Sequence, residues 1–362
     1  MGMQGLKLFD DVYPSMITQA GGDKIDQTTT VGDMIKGYSG GHKFQAESGP
    51  VAIEHGALAS LFKMVGLDIG VVDAFSSHPD IQQRMALAKL DDAGTGPNEI
   101  LLHGRQDNNG VVTYEAVLSD EYTPISNVQV LYSLREALPD NAVVHRARIT
   151  TRELWLRIIT PEWQHDLGGG GNAYTAMIVN NDELGRRKFS VRAALTKVSC
   201  WNYFLVEEPI FEHAHRFLLP GDMIKAIGDG VSKLNDVGAT VAEKMRIWQE
   251  IPVSDVQHMF KVASTELKLP AYAEKSTGDW WRENGAVPTL FWVMQAISYG
   301  ASRMTERKVP MWDRRENIET QSLHLGESFE TTGEMKVHSC PRCNRPLDTY
   351  TDVVDAVSYE IT

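Results

Sequence analysis

The sequence predicts an α+β fold in which a central antiparallel or mixed sheet packs with a long helix, followed by a helical region and a polar tail. Alternating apolar and polar residues predict several strands between residues 96 and 220. Apolar residues at steps of three and four predict helices after residue 220. From about residue 317 the chain is polar and weakly patterned, which is typical of a tail.

These patterns divide the chain into four regions. Glycine pairs and turn residues predict that residues 1–95 are irregular with short helices, the clearest of which starts near Pro79. The linker-like run Asp91–Pro97 places a boundary before a sheet-rich core domain at 96–220. A helical region at 221–310 and a polar tail at 311–362 complete the chain.

Local signals define the elements of the core domain. Asn-Gly at 109–110, between two strand-like runs, predicts a β-hairpin. Ser126 with Gln129 has the form of a capping box and predicts the start of a helix. Further strands are predicted at about 142–150, 153–160, 173–180 and 189–199, with the glycine run 168–171 in one of the turns.

The helical region begins with a long amphipathic segment after Pro220-Gly221. Its apolar positions are Ile224, Ile227, Val231, Leu234, Val241, Met245 and Trp248. This a/d spacing predicts a seam that packs lengthwise against another helix in the core, and an inter-subunit role is the alternative. Ser254 with Gln257 predicts a second capped helix, and a third is predicted near Pro288.

Composition restricts the class of protein. Of the 362 residues, 42% are hydrophobic and 23% are charged, which is typical of a globular protein with a substantial core. No apolar run approaches the length of a membrane span, and no secretory signal is evident. Three cysteines do not make a disulfide framework, so a reducing cytoplasm is expected.

Motifs of enzymes are incomplete, so an enzyme is not favoured. Gly37–Gly41 matches G-x-S-x-G, but its flanks resemble loops and no triad partners can be assigned. The run Gly168–Gly171 lacks the lysine and spacing of nucleotide-binding loops, so no nucleotide cofactor is expected. His213 and His215 share a strand face, and a metal-dependent enzyme built on them ranks below surface histidines.

The tail contains a candidate zinc site. Cys340-x-x-Cys343 places two thiolates where they can bind one ion, and His338 is a third candidate ligand. His324 or Asp348 is a candidate fourth ligand, and contribution of a ligand by a second chain is the alternative. A single Cys-x-x-Cys is only half of a zinc knuckle, so a free dithiol remains the alternative.

Charge is distributed unevenly. The formal net charge is −13, so any contact with nucleic acid must depend on a local basic patch. Such a patch is predicted on one face of the central strands, where arginines alternate with apolar residues and lie beside aromatic rings. Cations that follow phosphates and rings that stack on bases are typical of single-strand binding, although a solvated sheet face would look similar. The candidate residues are Arg146, Arg148, Arg152, Trp155, Arg157, Tyr174, Arg186, Arg187, Lys188, Arg192 and Lys197.

Several motifs in order resemble a known family over about a third of the chain. They are Leu118–Ile125, Val179–Gly185, Leu195–Asn202 and Glu212–His215. This stretch resembles the phage/plasmid-like family of unknown-function proteins found on phages, prophages and plasmids. The resemblance implies a mobile-element setting in a bacterial host and proximity to DNA metabolism. A further similarity to single-strand annealing proteins implies a curved sheet, a long helix and ring-forming oligomers.

Two functional hypotheses follow. The first is a phage or mobile-element protein that binds single-stranded DNA as a homo-oligomer and promotes annealing or recombination without hydrolysing nucleotide. The second is a structural or interaction protein that assembles through its helices and a zinc-stabilised tail. Neither hypothesis involves a membrane.

Overall fold

The computed structural model describes residues 6–21, 24–46, 49–93, 99–107, 109–197, 202–213, 220–284, 287–303 and 325–331. The helices are α1 (Phe9–Ala20), α2 (Val31–Gly37), α3 (His55–Met64), α4 (Ile69–Asp73), α5 (Pro79–Ala93), α6 (Asn127–Ala137), α7 (Pro220–Glu250), α8 (Val256–Glu266), α9 (Ala271–Asn284) and α10 (Leu290–Ser302). The strands are β1 (Lys7–Leu8), β2 (Lys24–Thr30), β3 (Lys43–Ala46), β4 (Gly49–Ile53), β5 (Glu99–Gln106), β6 (Val112–Ser119), β7 (Val143–Ile149), β8 (Glu153–Asp166), β9 (Asn172–Asp182), β10 (Phe189–Lys197) and β11 (Asn202–His213).

The strands form two sheets, and the predicted α+β class is confirmed. The larger sheet has the order β1-β7-β8-β9-β10-β11, and every neighbouring pair in it is antiparallel. The smaller sheet has the order β2-β5-β6-β4-β3, in which only β4 and β6 run parallel. Residues 7–8 therefore add an edge strand to a sheet whose other strands come from 143–213.

Each sheet has its own hydrophobic core. One face of the larger sheet packs against α1, α6 and α7, and the core continues into α8, α9 and α10. The core of the smaller sheet includes residues of α2, α3 and α5. A third, small apolar cluster lies on the face of the larger sheet opposite α7. We call this second face the outer face.

The predicted boundary near residue 95 is wrong. Strands β5 and β6, which follow it, pair with β2 and β4, which precede it, so the boundary divides the smaller sheet. Residues 1–95 also contain three of the strands of that sheet, rather than only loops and short helices. The edge strand β2 reads Lys-Ile-Asp-Gln-Thr-Thr-Thr, a sequence without the alternation of apolar and polar residues that predicts a strand. None of its residues is fully buried, because it lies at the edge of the sheet.

Local predictions in the core domain are confirmed. The hairpin β5–β6 surrounds the Asn-Gly turn, and Gly110 has a φ of +81°. Ser126 accepts a hydrogen bond from the backbone N–H of Val128, and Gln129 completes the capping box of α6. The four predicted strands correspond to β7 to β10.

The long helix is also confirmed, but its seam faces a different neighbour. Leu234, Met245 and Trp248 are fully buried in the core beside the larger sheet, whereas Ile224 is 49% exposed. The apolar stripe is therefore used mainly against the sheet of the same chain, which leaves little of it for a partner subunit. Gly238 allows the helix to approach β8 and β9 closely, because an added Cβ would overlap Thr175.

Three details of the C-terminal half differ from the predictions. Asp255, not Ser254, caps α8 by accepting from the backbone N–H of His258. Helix α9 has no strong sequence signal and was not predicted. Residues 325–331 form a helix that packs on α7, where Glu330 accepts a hydrogen bond from Trp248 Nε1 at 2.8 Å. This part of the tail is therefore folded. Among the described residues, no helix is both long and apolar enough to cross a bilayer.

Candidate nucleic-acid interface

The outer face brings together several of the predicted cations. In the register of the sheet, Arg146 lies opposite Arg157, which in turn lies opposite Ile178 on β9. Ile178 lies opposite Arg192, so one row across four strands contains three arginines. The predicted alternation is correct here: Leu154, Leu156 and Ile158 join the core, and Trp155 joins the outer cluster.

The centre of the outer face is buried, so Arg157 and Trp155, which were predicted to contact phosphates and bases, are largely closed to solvent. Arg157 is 2% exposed and Trp155 is 7% exposed. The guanidinium of Arg157 lies over the Trp155 ring, 5.3 Å from its centroid. The reason is that the strands carry apolar residues in line with the arginines, namely Val143, Ile159, Ala176, Ile178 and Ala194. Tyr174 is half-buried against this cluster.

Other predicted cations contact carboxylates around the rim of the outer face. Arg148 lies 3.3 Å from Glu153, and Lys188 lies 2.6 Å from Glu212. Arg192 lies 3.7 Å from the same Glu212. Ion pairs between partly exposed groups are worth about 0–1 kcal/mol, so a phosphate can compete with these carboxylates. Lys197 ends β10, and its side chain is outside the described residues.

Arg186, Arg187 and Lys188 lie in the turn between β9 and β10, and we call these three residues the basic turn. Gly185 precedes them with a φ of +70°, a conformation that favours glycine, and its Cα packs against the Tyr122 ring. Arg186 is exposed, Arg187 is half-buried, and the Lys188 side chain is 60% exposed. The chain reversal therefore projects consecutive positive charges from one end of the sheet.

Arg152, the remaining predicted cation, points elsewhere. It forms ion pairs with Glu54 and Glu115, which belong to the smaller sheet and the segment beside it. Burial disfavours its charge, but hydrogen bonds and attraction from these two carboxylates outweigh that effect and raise its pKa. Arg152 therefore joins the two sheets.

A second polar group at the same junction was missed in the sequence. We call Lys24, Asp26, His103, Asp182 and Glu183 the junction cluster. Glu183 pairs with Lys24, and His103 Nδ1 lies 2.6 Å from Asp26. Burial raises the pKa of Asp182 to about 6, and it also raises the pKa of Glu183. These residues come from three separate stretches of the chain, so no local pattern connects them.

The remaining motifs give no site in the described part of the chain. Ser39 follows α2 and precedes β3, the reverse of a nucleophile elbow, and its hydroxyl donates to the Lys43 carbonyl at 3.1 Å. His213 ends β11 with its ring stacked near Phe211, and His215 is outside the described residues. His338, Cys340 and Cys343 are outside them as well. Within the described ranges, no group of three or more His, Cys, Asp or Glu side chains is arranged to hold a metal ion.

Comparisons of the chain with models of protein families, with curated proteins and with solved structures find no match.

Proposed function

We propose that this protein binds single-stranded DNA through the basic turn and the neighbouring rim of the outer face, and that it promotes annealing or recombination without hydrolysing nucleotide. The observation that supports this proposal is the projection of Arg186, Arg187 and Lys188 from the end of the β9–β10 hairpin. Arg148 lies at the same end of the sheet, because its row includes Trp155, Asn180 and Ser190.

The chemistry of these groups suits phosphates. An arginine guanidinium can donate two parallel hydrogen bonds to one phosphate, whereas a lysine acts as a point charge. The buried positions of Arg157 and Trp155 restrict the proposal to cations that solvent reaches. Because the whole chain carries a formal charge of −13, binding must be local and must weaken steeply with salt.

The setting of the proposal is a mobile genetic element in a bacterial cytoplasm, with a homo-oligomer as the active form. The motifs between Leu118 and His215, which resemble the phage/plasmid-like family, support this setting. Sheet edges are the natural contacts for assembly, since the apolar stripe of α7 is used within the chain.

The test is a fluorescence-anisotropy titration of a labelled single-stranded oligonucleotide at two salt concentrations. Each phosphate contact on a single strand contributes about 0.7 to the slope of log K against log salt. The triple variant R186A/R187A/K188A should therefore lose about 2 from that slope and bind more weakly at low salt. Binding by this variant that equals the wild type would remove the basic turn from the site.

A matched control separates local from overall charge. Lys225, Lys233 and Lys261 are exposed residues of α7 and α8, and K225A/K233A/K261A makes the same change in net charge. It should bind like the wild type. If the wild type binds no oligonucleotide at low salt and shows no salt-sensitive retention on heparin, the alternative of an assembly protein is favoured.

A further inference from the structure

Glu183 connects the two sheets. Its carboxylate is 1% exposed, pairs with Lys24 of β2, and lies 3.8 Å from His103 Nε2 of β5. The same carboxylate accepts a hydrogen bond of 2.5 Å from the backbone N–H of Asn127 at the start of α6. One side chain of the turn after β9 therefore contacts two strands of the smaller sheet and a helix end.

The backbone around Glu183 is held from both sides. The Glu183 N–H donates to the Arg152 carbonyl at 2.9 Å, and the Tyr122 hydroxyl donates to the Glu183 carbonyl at 3.0 Å. Gly185 lies so close to Tyr122 that an added Cβ would lie 2.6 Å from its ring. The turn at 182–185 is thus held by Arg152, which precedes β8 of the larger sheet, and by Tyr122, which follows β6 of the smaller sheet.

Asp182 adds a second buried carboxyl group to this turn. It is 1% exposed, and its Oδ1 accepts a hydrogen bond of 2.8 Å from the backbone N–H of Leu184. Its Oδ2 has no hydrogen-bond partner among the described residues. Glu153 lies directly opposite on β8 and repels a negative charge on Asp182, whereas Arg186 and Arg187 attract it. Lys24 and His103, on the far side of the turn, face Glu183, and Asp26 faces His103.

We propose that the turn at 182–185 is a pH-dependent latch between the two sheets, held more firmly in mild acid than at neutral pH. A buried carboxylate is costly unless it is fully paired, and a proton removes that cost. Moving the turn at 182–185 out of its enclosure would hydrate the buried carboxyl groups of Asp182 and Glu183 and restore ordinary carboxyl behaviour. Closure and proton binding therefore favour each other.

The direction follows from linkage between protons and conformation. Burial raises the pKa of Asp182 from 3.8 to about 6, and burial raises the pKa of Glu183 despite the attraction of Lys24. A group with a raised pKa in the closed state stabilises closure fully below its ordinary pKa, and that contribution is lost as the pH rises through the higher value. For Asp182 alone, the closed-to-open ratio at pH 5.0 is about ten times that at pH 7.5.

Hydrogen–deuterium exchange of the full-length protein tests this proposal, with rates corrected for intrinsic exchange at each pH. Peptides that cover β2 and residues 182–188 should show about tenfold greater protection at pH 5.0 than at pH 7.5. The measurement must be local to this turn. Burial lowers the pKa of His165, so this residue destabilises the whole fold in acid and would oppose the expected effect in a global unfolding experiment.

Two variants make the result decisive. D182N imitates the protonated carboxyl and should reduce the pH effect, leaving the part that comes from Glu183. D166N is the control, since Asp166 is exposed and also accepts from the backbone N–H two residues later; it should keep the wild-type pH effect. Equal protection of the wild type at both pH values, or greater protection at pH 7.5, would contradict the proposal that mild acid favours closure of this turn. If D182N fails to fold, the ratio of wild-type protection at pH 5.0 to that at pH 7.5 decides the question together with E183Q. The pH effect of E183Q should be smaller than that of the wild type.

Discussion

Replacing Gly238 by alanine tests the close contact between α7 and the larger sheet. In an ordinary helix interior the substitution would stabilise the protein by about 1 kcal/mol, because alanine is the better helix former. At this position the added Cβ would lie 2.7 Å from His165 Nε2 and 2.8 Å from Thr175 Cβ, and still closer to the Thr175 hydroxyl. These two side chains are hydrogen bonded to each other at 2.7 Å, and Thr175 is fully buried.

The expected cost has two parts. Overpacking a well-packed core costs about 1–3 kcal/mol. Separating Thr175 from His165 would leave a buried hydroxyl unsatisfied, which costs about 1–3 kcal/mol more. After the helix-propensity gain of about 1 kcal/mol is subtracted, G238A should lower the free energy of unfolding by about 3 kcal/mol.

Gly228 provides a matched control in the same helix. It is exposed, and an added Cβ there would meet nothing within 4 Å. G228A should therefore stabilise the protein by up to about 1 kcal/mol, so the two variants should differ by about 4 kcal/mol. Urea unfolding followed by far-UV circular dichroism and tryptophan fluorescence measures both. If G238A proves as stable as G228A, the close packing of α7 on β9 is incorrect.

Three further outcomes are expected. Ser126→Ala removes the cap of α6 and should cost about 1 kcal/mol in the same urea assay; an unchanged midpoint would contradict the capping box. Gly326→Ala would place a Cβ so close to the Trp248 ring that the two overlap, so it should release residues 325–331 to limited proteolysis while the core melts normally; unchanged cleavage would refute that docking. Elemental analysis should find about one zinc ion per chain that is lost on Cys340→Ser or Cys343→Ser, and a metal-free wild type would favour a free dithiol.

Local signals predicted elements of both sheets and the long helix. The Asn-Gly hairpin, the capping box at Ser126, the strands β7 to β10 and the long helix each depend on residues within a few positions of one another. Such patterns are readable because the backbone geometry of a turn, a cap or an amphipathic helix is decided by its own side chains. The alternation on β8 also assigned Trp155 and Arg157 correctly to one face.

Whether that face is solvated was decided only by the tertiary structure. An arginine between Trp155 and Ile159 has the same sequence pattern whether it faces water or a packed cluster. The alternation therefore predicted the shared face but not its burial. This distinction moves the candidate interface from the centre of the sheet to the basic turn.

The sequence by itself determined an α+β protein with a long helix, a hairpin-rich middle and a basic segment in an acidic chain. Only the tertiary structure decided that β5 and β6 complete a sheet begun before residue 95, and that Glu183 meets Lys24 and His103 at the junction. The physical reason is that strand pairing and buried ion pairs join residues far apart in the chain. Their partners are selected by the packing of whole sheets, which leaves no periodic signal in the sequence.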